Sequence, residues 1–547
     1  MAETLLSPGV LTRENDQSQV TQGPITAGAA VVGPTVKGPV NIPTLVTSYS
    51  DYISKFGGSF ISGGTTQEYL TSISAYNYFQ QGGDSLLVTR VVSGTFAPAT
   101  SSVVLSNTSA SFTLETLSAG SIQNSFSTSG ANGALVSGSS DNIRFELTGA
   151  NTGSGTFSLL IRRGDDTDNS KVILESWSNL SLDPNQPNYI EAVIGNQSID
   201  VSEGYTNISG DFTNKSRYVR VKSVTTTTVD YFDNNGIAKS ALTGSIPLNQ
   251  TGSFGGATGN LAGVYDLVSS NYTSSLNLLA NKDEFQYNII TVPGLNQTTD
   301  STAISLLLTN TQERGDAIAI VDLTNVSASL LTAVEKAKDI DNSYAATYWP
   351  WVQVTSPNTG KLTFVPTSTI MPSVFAYNDR VAAPWFAPAG FSRGGLNVIQ
   401  AKRKLSPSDR DTLYAANINS IATFPGQGVV AYGQKTLQKK ASALDRVNVR
   451  RLLIELKSHI GQVANTLVFE QNSNATRNRF LAQTNPYLES IQQRQGLYAY
   501  KVVMDDTNNT ADVIDRNQLV GQIFIQPTKT AEFIVLDFNV TPTGATF

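Results

Sequence analysis

Between residues 284 and 380 the chain alternates strand-like and helix-like segments, and this alternation limits the fold more than any other feature. The strand-like stretches are YNIITVPGL, DAIAIVDL and YAATYWPWVQV, and the helix-like stretches between them are STAISLLLTNTQERG and SASLLTAVEKAKDI. Strands that alternate with helices of this length form βαβ units, whose neighbouring strands run parallel. The segment therefore predicts an α/β sheet with parallel neighbours.

Residues 24–93 predict a compact mixture of helices and strands. AAVVGPTVKGPVNIPTLVTS contains short strands punctuated by Gly-Pro turn signals, and SLLVTRVV reads as a buried strand. SYSDYISKFGG predicts a short helix that ends at Gly57, and QEYLTSISAYNYFQQGG predicts a second helix that Gly82 and Gly83 terminate. We therefore group residues 23–93 with residues 284–380 in one middle α/β domain.

The composition changes at Ser93. From there to residue 283 the chain is rich in Ser, Thr, Gly and Asn, with short alternating runs such as SFTLETL, FELTGA, FSLLIRR and YVRVKSV. Many short strands separated by turn residues are typical of an all-β region, which only the helix-like PNYIEAVIG interrupts. We therefore expect residues 94–283 to form a β-rich insertion of one large or two small subdomains.

Residues 381–547 predict an α+β region. DRVNVRRLLIELKSHIGQVA is an amphipathic helix that keeps Arg450 and Arg451 away from its apolar stripe. That stripe consists of Val449, Leu452, Leu453, Leu456, Ile460 and Val463. SNATRNRFLAQTNPYLESIQQRQGL predicts two helices, with Asn485 as the cap and Pro486 at the first position of the second helix. The strands LYAYKVVM, QLVGQIFIQP and AEFIVLDFNV follow, and the last two predict a hairpin joined around PTKT.

The predicted fold class is a multidomain α+β protein, in which both chain ends build an α/β and α+β core around the β-rich insertion. At 547 residues the chain is far longer than a single core requires. We place the C-terminal α+β domain at residues 381–530. The stretch SPGVLTRENDQS, residues 7–18, is extended, mostly polar and only weakly apolar. Its own domain offers no evident way to bury it.

Composition excludes several classes of function. Charged residues make up 15% of the chain and the net charge is −6, so no basic excess is present to neutralise nucleic-acid phosphates. The chain has no cysteine, which excludes disulfides, zinc ribbons and thiol catalysis. We expect no signal peptide in MAETLLSPGVL and no transmembrane helix, because no long uninterrupted apolar run occurs. Such a weakly charged surface suits a protein that lives as an oligomer.

One enzyme motif occurs, but its surroundings argue against catalysis. GFSRG matches the G-x-S-x-G nucleophile elbow with Ser392 as nucleophile, and the only histidine, His459, would have to be the base. The elbow requires a buried strand before it, whereas APWFAPA is broken by prolines. The acidic stretches DDTDNSK and DDTNN lack the glycine and terminal Glu of a calcium loop, and no phosphate-binding loop is present. We expect no enzyme activity, metal site or cofactor.

Several segments, in their order and spacing, resemble the contractile tail sheath proteins of bacteriophages and related contractile injection systems. They include SPGVLTRE with GAAVVGPTVKGPVNIPTLVTSYSDYISKFGG, YLTSISAYNYFQQGGDSLLVTRVV, NLSLDPNQPNYIEAVIG, YAATYWPWVQV, VPTSTIMPSVFAYNDR, NSIATFPGQGVVAYGQKTL, VNVRRLLIELKSHI, TLVFEQNSNATRNRF and IDRNQLVGQIFIQPTKTAEFIVLDF. The resemblance covers both ends and most of the middle of the chain. It is weakest across residues 94–175 and 196–283.

The resemblance implies a structural subunit that polymerises as a helical tube around the inner tail tube. Such a sheath contracts from a metastable extended state and drives the tube through the host envelope, using stored conformational energy. The implied partners are other copies of the chain, the tail tube protein, and baseplate and tail terminator proteins, with no direct nucleic-acid or membrane contact. The implied location is the virion tail, assembled in the host cytoplasm.

The resemblance also implies that residues 1–22 and 531–547 are arms exchanged between subunits by β-augmentation. The exchanged residues would be Gly9, Val10, Leu11, Thr12, Arg13, Phe533, Ile534, Val535, Leu536 and Phe538. The receiving hairpin, residues 517–527, would present Leu519, Val520, Ile523, Phe524 and Ile525. The C-terminal domain would face the tube with basic residues, and the insertion would face outward. Those basic residues are Arg477, Arg479, Arg494, Lys439 and Lys440.

Three alternatives stay open at this point. The first is the sheath of another contractile injection system, such as a tail-like bacteriocin or a related particle. The second is a serine hydrolase that uses Ser392. The third is a surface adhesin built from β-domains, which would need an export signal.

Overall fold

The computed structural model describes residues 25–533 except residues 63, 106–108, 124–129, 137 and 203. The first described part of the chain contains β1 (Ile25–Ala27), β2 (Ala29–Gly33), β3 (Thr44–Val46), α1 (Tyr49–Phe56), β4 (Ser59–Ser62), β5 (Thr65–Glu68), α2 (Leu70–Gln80) and β6 (Leu86–Arg90). The Ser48 hydroxyl caps α1 by accepting from the Asp51 N–H, and Gly57 ends the helix at a φ of 74°. Both predicted helices of this region are confirmed.

The insertion is built mainly from strands. It contains β7 (Pro98–Val104), β8 (Ala110–Ala119), β9 (Ile143–Asn151), β10 (Thr156–Arg163), β11 (Ile173–Ser181), α3 (Ile190–Ile194), β12 (Ser198–Ser202), β13 (Tyr205–Ser209), β14 (Val219–Val224), α4 (Ser240–Thr243) and β15 (Gln250–Ser253). One sheet has the order β11-β10-β9-β15 and another has the order β14-β8-β7. Residues of both sheets share one core, in which the Phe112 and Phe157 rings stack at 5.7 Å. The predicted β-rich character is confirmed.

A helix that the sequence did not predict follows the insertion strands. It is α5 (Ser269–Leu278), whose sequence SSNYTSSLNL is mostly Ser and Asn and has poor helix propensity. The buried Tyr272 and Leu276 join a core that also contains Ile304 and Leu307. Tertiary packing therefore sets the helical state of α5, and the helix packs with the middle of the chain.

The alternation predicted for residues 284–380 is confirmed. The elements are β16 (Phe285–Tyr287), β17 (Ile289–Asn296), α6 (Ser301–Arg314), β18 (Ile318–Asp322), α7 (Leu330–Ala337), β19 (Ala345–Ala346), β20 (Tyr348–Trp349), β21 (Val352–Thr355), β22 (Leu362–Val365) and α8 (Met371–Val381). The single strand expected for YAATYWPWVQV is instead divided into β19, β20 and β21. These three short strands lie in three different sheets.

A six-stranded sheet unites strands from both sides of the insertion. Its order is β19-β18-β17-β2-β6-β3. Neighbours from β19 to β6 run parallel, and β3 is antiparallel to β6 at the edge. Ala30 of β2 lies opposite Ile290 of β17, although the whole insertion separates them in sequence.

Alternate residues of this sheet enter two separate cores. Ala30 and Val32 of β2 pack on the face covered by α5, α6 and α7. Ala29 and Val31 pack on the opposite face, which α1, α2 and α8 cover. A parallel sheet covered on both faces requires apolar residues at consecutive positions, which explains the continuous run AAVVG.

The C-terminal part combines small sheets with two long helices. Its elements are α9 (Gly390–Arg393), β23 (Gln400–Ala401), α10 (Pro407–Ala415), β24 (Asn419–Phe424), β25 (Gly428–Tyr432), α11 (Val447–Asn465), α12 (Asn474–Gln493), β26 (Leu497–Val503), α13 (Ala511–Asp515) and β27 (Gln522–Pro527). The sheets have the orders β20-β24-β25, β22-β21-β23 and β26-β27. Among the described residues, no helix is both long and apolar enough to cross a membrane.

One prediction for the long helices is wrong. The pair of helices expected on either side of Asn485 is the single helix α12, which carries Pro486 in its interior. Burial of Phe480 before the proline and of Leu488 after it holds one continuous helix against the local cost of proline. Arg450 and Arg451 are buried in α11, because its N-terminal half is covered on all sides.

Candidate docking site at the C-terminal hairpin

The antiparallel pair β26–β27 is a small sheet near the end of the described chain. Tyr500 lies opposite Ile525 and Lys501 opposite Phe524, with an irregularity in register between Leu497 and Ala499. The observed partner of β27 is thus β26. The predicted hairpin instead joined β27 to residues 531–540, most of which lie outside the described residues.

The two faces of this pair differ in how far other parts of the chain bury them. On the inner face, the half-buried Tyr500 and Ile525 pack against a core that includes Leu488 of α12. On the outer face, Tyr498 is 62% exposed and Phe524 is 56% exposed. The pair therefore has one anchored face and one apolar face open to solvent.

Both long edges of the pair are open in the part of the chain that the structure describes. β26 and β27 pair with each other, and no other described strand joins either of them. An unpaired edge presents a row of backbone N–H and C=O groups that recruit a further strand. The pair therefore offers two positions for strand addition, each six or seven residues long.

The segment between the two strands forms a braced loop. The Asn509 side chain accepts from the Val520 N–H at 2.8 Å and donates to the Val520 carbonyl at 2.9 Å. Leu519 packs against a small core with Phe480 and Met504. Of the five residues predicted for the receiving hairpin, Ile523, Phe524 and Ile525 lie on β27, whereas Leu519 and Val520 lie in the loop.

Acidic residues begin this loop. Asp505 accepts from the N–H and the hydroxyl of Thr507, and these hydrogen bonds lower the pKa of Asp505. The loop therefore begins with a turn that the Asp505 side chain caps. In the described residues, no group of His, Cys, Asp or Glu side chains could hold a metal ion.

After β27 the chain is held by contacts with α10 and with the segment between α10 and α11. Glu532 forms an ion pair with Arg446 at 2.7 Å and accepts from the Tyr414 hydroxyl and from Gln434. The Phe533 ring meets the Tyr414 ring edge-on at 6.1 Å, yet Phe533 is 78% exposed. The other predicted exchange residues lie outside the described residues. They are Gly9, Val10, Leu11, Thr12, Arg13, Ile534, Val535, Leu536 and Phe538.

Arg477, one of the predicted basic surface residues, is buried. Its guanidinium donates to Asn472 at 2.8 Å, to Asn474 at 3.2 Å and to Asp506. A buried guanidinium that is committed to these acceptors does not present its charge to solvent. The prediction of an exposed Arg477 is therefore wrong, and its role in the described structure is to tie α12 to the β26–β27 loop.

The other four predicted basic residues lie on the surface. Arg479 is half-exposed and 3.6 Å from Glu470, and the Arg494 guanidinium lies 4.8 Å from the Trp385 ring. Arg479 lies within α12, and Arg494 is the residue at its C-terminal cap. Lys439 and Lys440 lie on a separate segment before α11, where the Lys439 N–H donates to Asp341 at 2.9 Å. The basic residues therefore occupy two places in the chain rather than one helix.

Ser392 and His459 do not form a catalytic pair. Ser392 is exposed on the single-turn helix α9. His459 lies on α11, and its ring stacks on the Tyr487 ring at 3.6 Å. The acidic stretch DDTDNSK instead contributes to ion pairs of the insertion, where Asp166 binds Arg162 at 2.7 Å.

Sequence reasoning missed the residues that hold Glu532. Tyr414, Gln434 and Arg446 lie in three separate segments, and no local sequence pattern indicated that any of them would bind Glu532. Only the tertiary structure brings them together. The presence of Glu532 in the sequence did not indicate which residues would bind its carboxylate.

Two family models match the chain. Residues 270–437 match the phage tail sheath protein central domain, and residues 439–541 match the phage tail sheath C-terminal domain. The first match begins within one residue of α5, and the second extends through β27.

Tail sheath proteins of known phages are among the similar sequences. The tail sheath protein of Vibrio phage KVP40 is 39% identical over 230 residues, which cover 42% of this chain and 32% of the relative. That of Enterobacteria phage T4 is 41% identical over 185 residues, covering 34% of this chain and 28% of the relative. The chain therefore matches about a third of the length of these relatives.

Solved structures show the same fold over nearly the whole chain. The crystal structure of a sheath tail protein from Listeria innocua has a TM-score of 0.54 at 11% identity and covers 92% of this chain and 95% of that chain. A chain of the anti-feeding prophage baseplate, solved by cryo-EM, has a TM-score of 0.52 at 15% identity and covers 98% of this chain and 100% of that chain. At these identities the likeness concerns the fold alone.

Proposed function

Because the chain belongs to the contractile tail sheath protein family, we propose that it polymerises into a helical sheath around the inner tube of a phage tail. Proteins of this family are structural subunits, and the chain is accordingly not an enzyme. The exposed Ser392 and the stacked His459 agree with that conclusion.

The observation that carries the proposal is the pair β26–β27, whose two edges are unpaired within residues 25–533 as the structure describes them. One arm from each of two neighbouring subunits would complete this pair as a four-stranded sheet. The arms would be residues 1–22 of one neighbour and residues 531–547 of another. Backbone hydrogen bonds would supply the link, and the exposed Phe524 and Tyr498 would set the register. A head-to-tail link that does not close on itself generates a helical filament rather than a ring.

Contraction follows from two packings of the same filament. The subunits would rotate and move outward as rigid bodies, while the exchanged strands act as tethers between them. The two well-packed cores around the six-stranded sheet suit such rigid-body movement, because close-packed interiors resist continuous deformation. The driving energy would come from new contacts between subunits, stored in the metastable extended state.

We further propose the orientation of the subunit in the sheath. The C-terminal domain would face the tube, with the exposed Arg479, Arg494, Lys439 and Lys440 against an acidic tube surface. The insertion would face outward, consistent with its Ser- and Thr-rich surface. Baseplate and terminator proteins would cap the two ends of the sheath, which would assemble in the host cytoplasm and become part of the virion tail.

A phage tail is the assembly that the relatives favour, since the similar sequences of highest identity given above are phage tail sheath proteins. The second candidate is a sheath of another contractile injection system. The structural likeness to the anti-feeding prophage favours that alternative, but only through the fold. Both candidates share the same assembly mechanism.

Electron microscopy of the purified protein tests the proposal. The full chain should form wide tubes of uniform bore without added nucleotide. Deletion of residues 1–20 should leave folded monomers, with the circular dichroism spectrum of the full chain and no tubes. Tubes of normal length from the shortened chain would overturn strand exchange by the N-terminal arm.

A further inference from the structure

The chain segment after β27 is bound by three side chains from distant parts of the sequence. The carboxylate of Glu532 receives the Arg446 guanidinium at 2.7 Å, the Tyr414 hydroxyl, and the Gln434 amide at 3.1 Å. The same Gln434 amide also donates to the Thr530 hydroxyl. We call Tyr414, Gln434 and Arg446 the clasp.

The clasp is internally braced. Arg446 donates to the Tyr414 hydroxyl at 3.0 Å, so one guanidinium orients the group that donates to Glu532. The Lys435 ammonium lies 3.8 Å from the centre of the Tyr414 ring and donates to the Tyr414 carbonyl at 2.8 Å. These contacts to the Tyr414 phenol and backbone do not involve Glu532.

Glu532 is well accommodated as an anion. Burial acts to raise the pKa of Glu532, but hydrogen bonds from Tyr414, Arg446 and Gln434 outweigh burial and lower the pKa. Its side chain is only one-fifth exposed. Hydrogen bonds between ionised groups are roughly twice as strong as neutral ones, so this contact is the strongest hold on the segment.

The position of the clasp matters because it binds the first residues of the C-terminal arm, shortly after β27. β27 ends at Pro527, and the Thr528 N–H donates to the Gly496 carbonyl at 3.1 Å. Residues 528–532 then lead to the clasp, and the arm continues beyond it. If Glu532 were released, these five residues would lengthen the free tether by about 17 Å when extended.

We propose that the clasp anchors the root of the C-terminal arm to its own subunit and so fixes the point from which the exchanged strand departs. This inference rests on the proposed strand exchange. An anchored root orders part of the arm before assembly, which lowers the entropic cost of inserting the strand into a neighbour. It also removes slack from the tether, so that movement of one subunit is passed to the next.

Limited trypsin digestion of the full chain under non-assembling conditions tests the anchor directly. Lys529 is exposed directly before the clasped residues, and Arg516 is exposed in the β26–β27 loop. Glu532→Gln should speed cleavage after Lys529 about tenfold, because a charge-assisted contact is lost. Cleavage after Arg516 should not change and serves as the internal control.

A second variant guards against general destabilisation. Arg446→Gln should speed the same cleavage. The double variant with Glu532→Gln should be cleaved little faster than either single variant, because both substitutions disrupt the same ion pair between Arg446 and Glu532. Arg403→Gln is a matched control, since it breaks an exposed ion pair with Asp409 at 3.3 Å elsewhere in the C-terminal region. Unchanged cleavage after Lys529 in both single variants would overturn the anchor.

Assembly experiments on two variants distinguish the anchoring role of the clasp from strand exchange by the C-terminal arm. Deleting residues 534–547 should abolish tubes, whereas Glu532→Gln should still give tubes but raise the protein concentration for half-maximal assembly about tenfold. An unchanged concentration would overturn the role of the clasp in assembly. Normal tubes from the deletion would overturn exchange of the C-terminal arm, whatever the result for Glu532.

Discussion

The six-stranded sheet and the β26–β27 pair are two opposite solutions to the problem of unpaired strands. The sheet is covered by helices on both faces, and its strands are recruited from the two sides of the insertion. The pair is covered on one face, exposes Phe524 and Tyr498 on the other, and leaves both long edges open in the described residues.

The difference indicates a division of labour within one chain. The sheet finishes its hydrogen bonding and burial inside the subunit, so its residues should govern the stability of the monomer. The pair stays unfinished, so its outward residues should govern association and hardly affect the monomer. Substitutions in the two places distinguish these effects.

The largest effect on monomer stability should come from Ile320 of β18, which is fully buried. Ile320→Ala should lower the free energy of unfolding by about 2–5 kcal/mol, the range for removing a buried Leu or Ile side chain. Ile525→Ala, on the half-buried face of β27, should cost about 1–2 kcal/mol. Urea unfolding of monomeric protein measures both losses of free energy. Equal losses would contradict the expected difference between the six-stranded sheet and the β26–β27 pair.

A buried carboxyl of the same sheet should give the sheet its own pH dependence. Burial raises the pKa of Asp322 to about 6, although Ser368 and Thr367 donate hydrogen bonds to it. Because the folded state binds this proton more tightly than the unfolded chain, the contribution of Asp322 is largest below pH 4 and falls as the pH rises through 6. Between these limits it should change by up to about 3 kcal/mol.

Asp322→Asn tests this contribution, because asparagine fills the same space without titrating. The difference in unfolding free energy between the native chain and the variant should shift in favour of the variant from pH 4 to pH 7. Urea titrations at several pH values measure this difference in unfolding free energy. The contributions of the other carboxyl groups cancel, because both chains contain them. A difference that stays constant with pH would show that Asp322 does not titrate in this range.

The outward face of the pair should behave in the opposite way. Phe524→Asp should change the unfolding free energy by about 0.5 kcal/mol or less, since the ring is mostly exposed and Lys501 lies opposite it. Tube formation, followed by electron microscopy, should nevertheless be lost. Ile61→Asp is the matched control, because Ile61 is 77% exposed on the separate hairpin of β4 and β5.

The smallest effect on stability should come from Arg479. Its contact with Glu470 is exposed and 3.6 Å long, so Arg479→Glu should cost at most about 0.5 kcal/mol. Sheaths of this variant should assemble poorly on tubes if Arg479 faces an acidic tube surface. Normal extended sheaths on tubes would contradict a contact between Arg479 and the tube. They would not affect the comparison between the six-stranded sheet and the β26–β27 pair.

The closed sheet was far easier to predict from the sequence than the open pair. The runs AAVVG, DAIAIVDL and the helices between strands carry their structure in local patterns, because a sheet buried on both faces requires them. Helix α5 and the uninterrupted α12 were not predicted, since burial of Tyr272 in one and of Phe480 and Leu488 in the other overrides local propensity.

The candidate site shows the same limit more strongly. The apolar alternation of Ile523 and Ile525 predicted a strand, but nothing local indicated that its partner would be β26. Arg477 and Arg479 look alike in sequence, yet the first is buried against Asn472 and the second is exposed. The residues that hold Glu532 come from distant segments, so only the assembled fold could reveal them.

The place of β2 beside β17 has a consequence for synthesis on the ribosome. β2 emerges early, whereas β17 and β18 follow only after the whole insertion has been translated. At typical rates of elongation, β2 and β6 wait roughly 10–50 s for their neighbours. During that interval the nascent chain carries two apolar strands without a finished core, and chaperones that bind such segments would have their greatest effect on yield then.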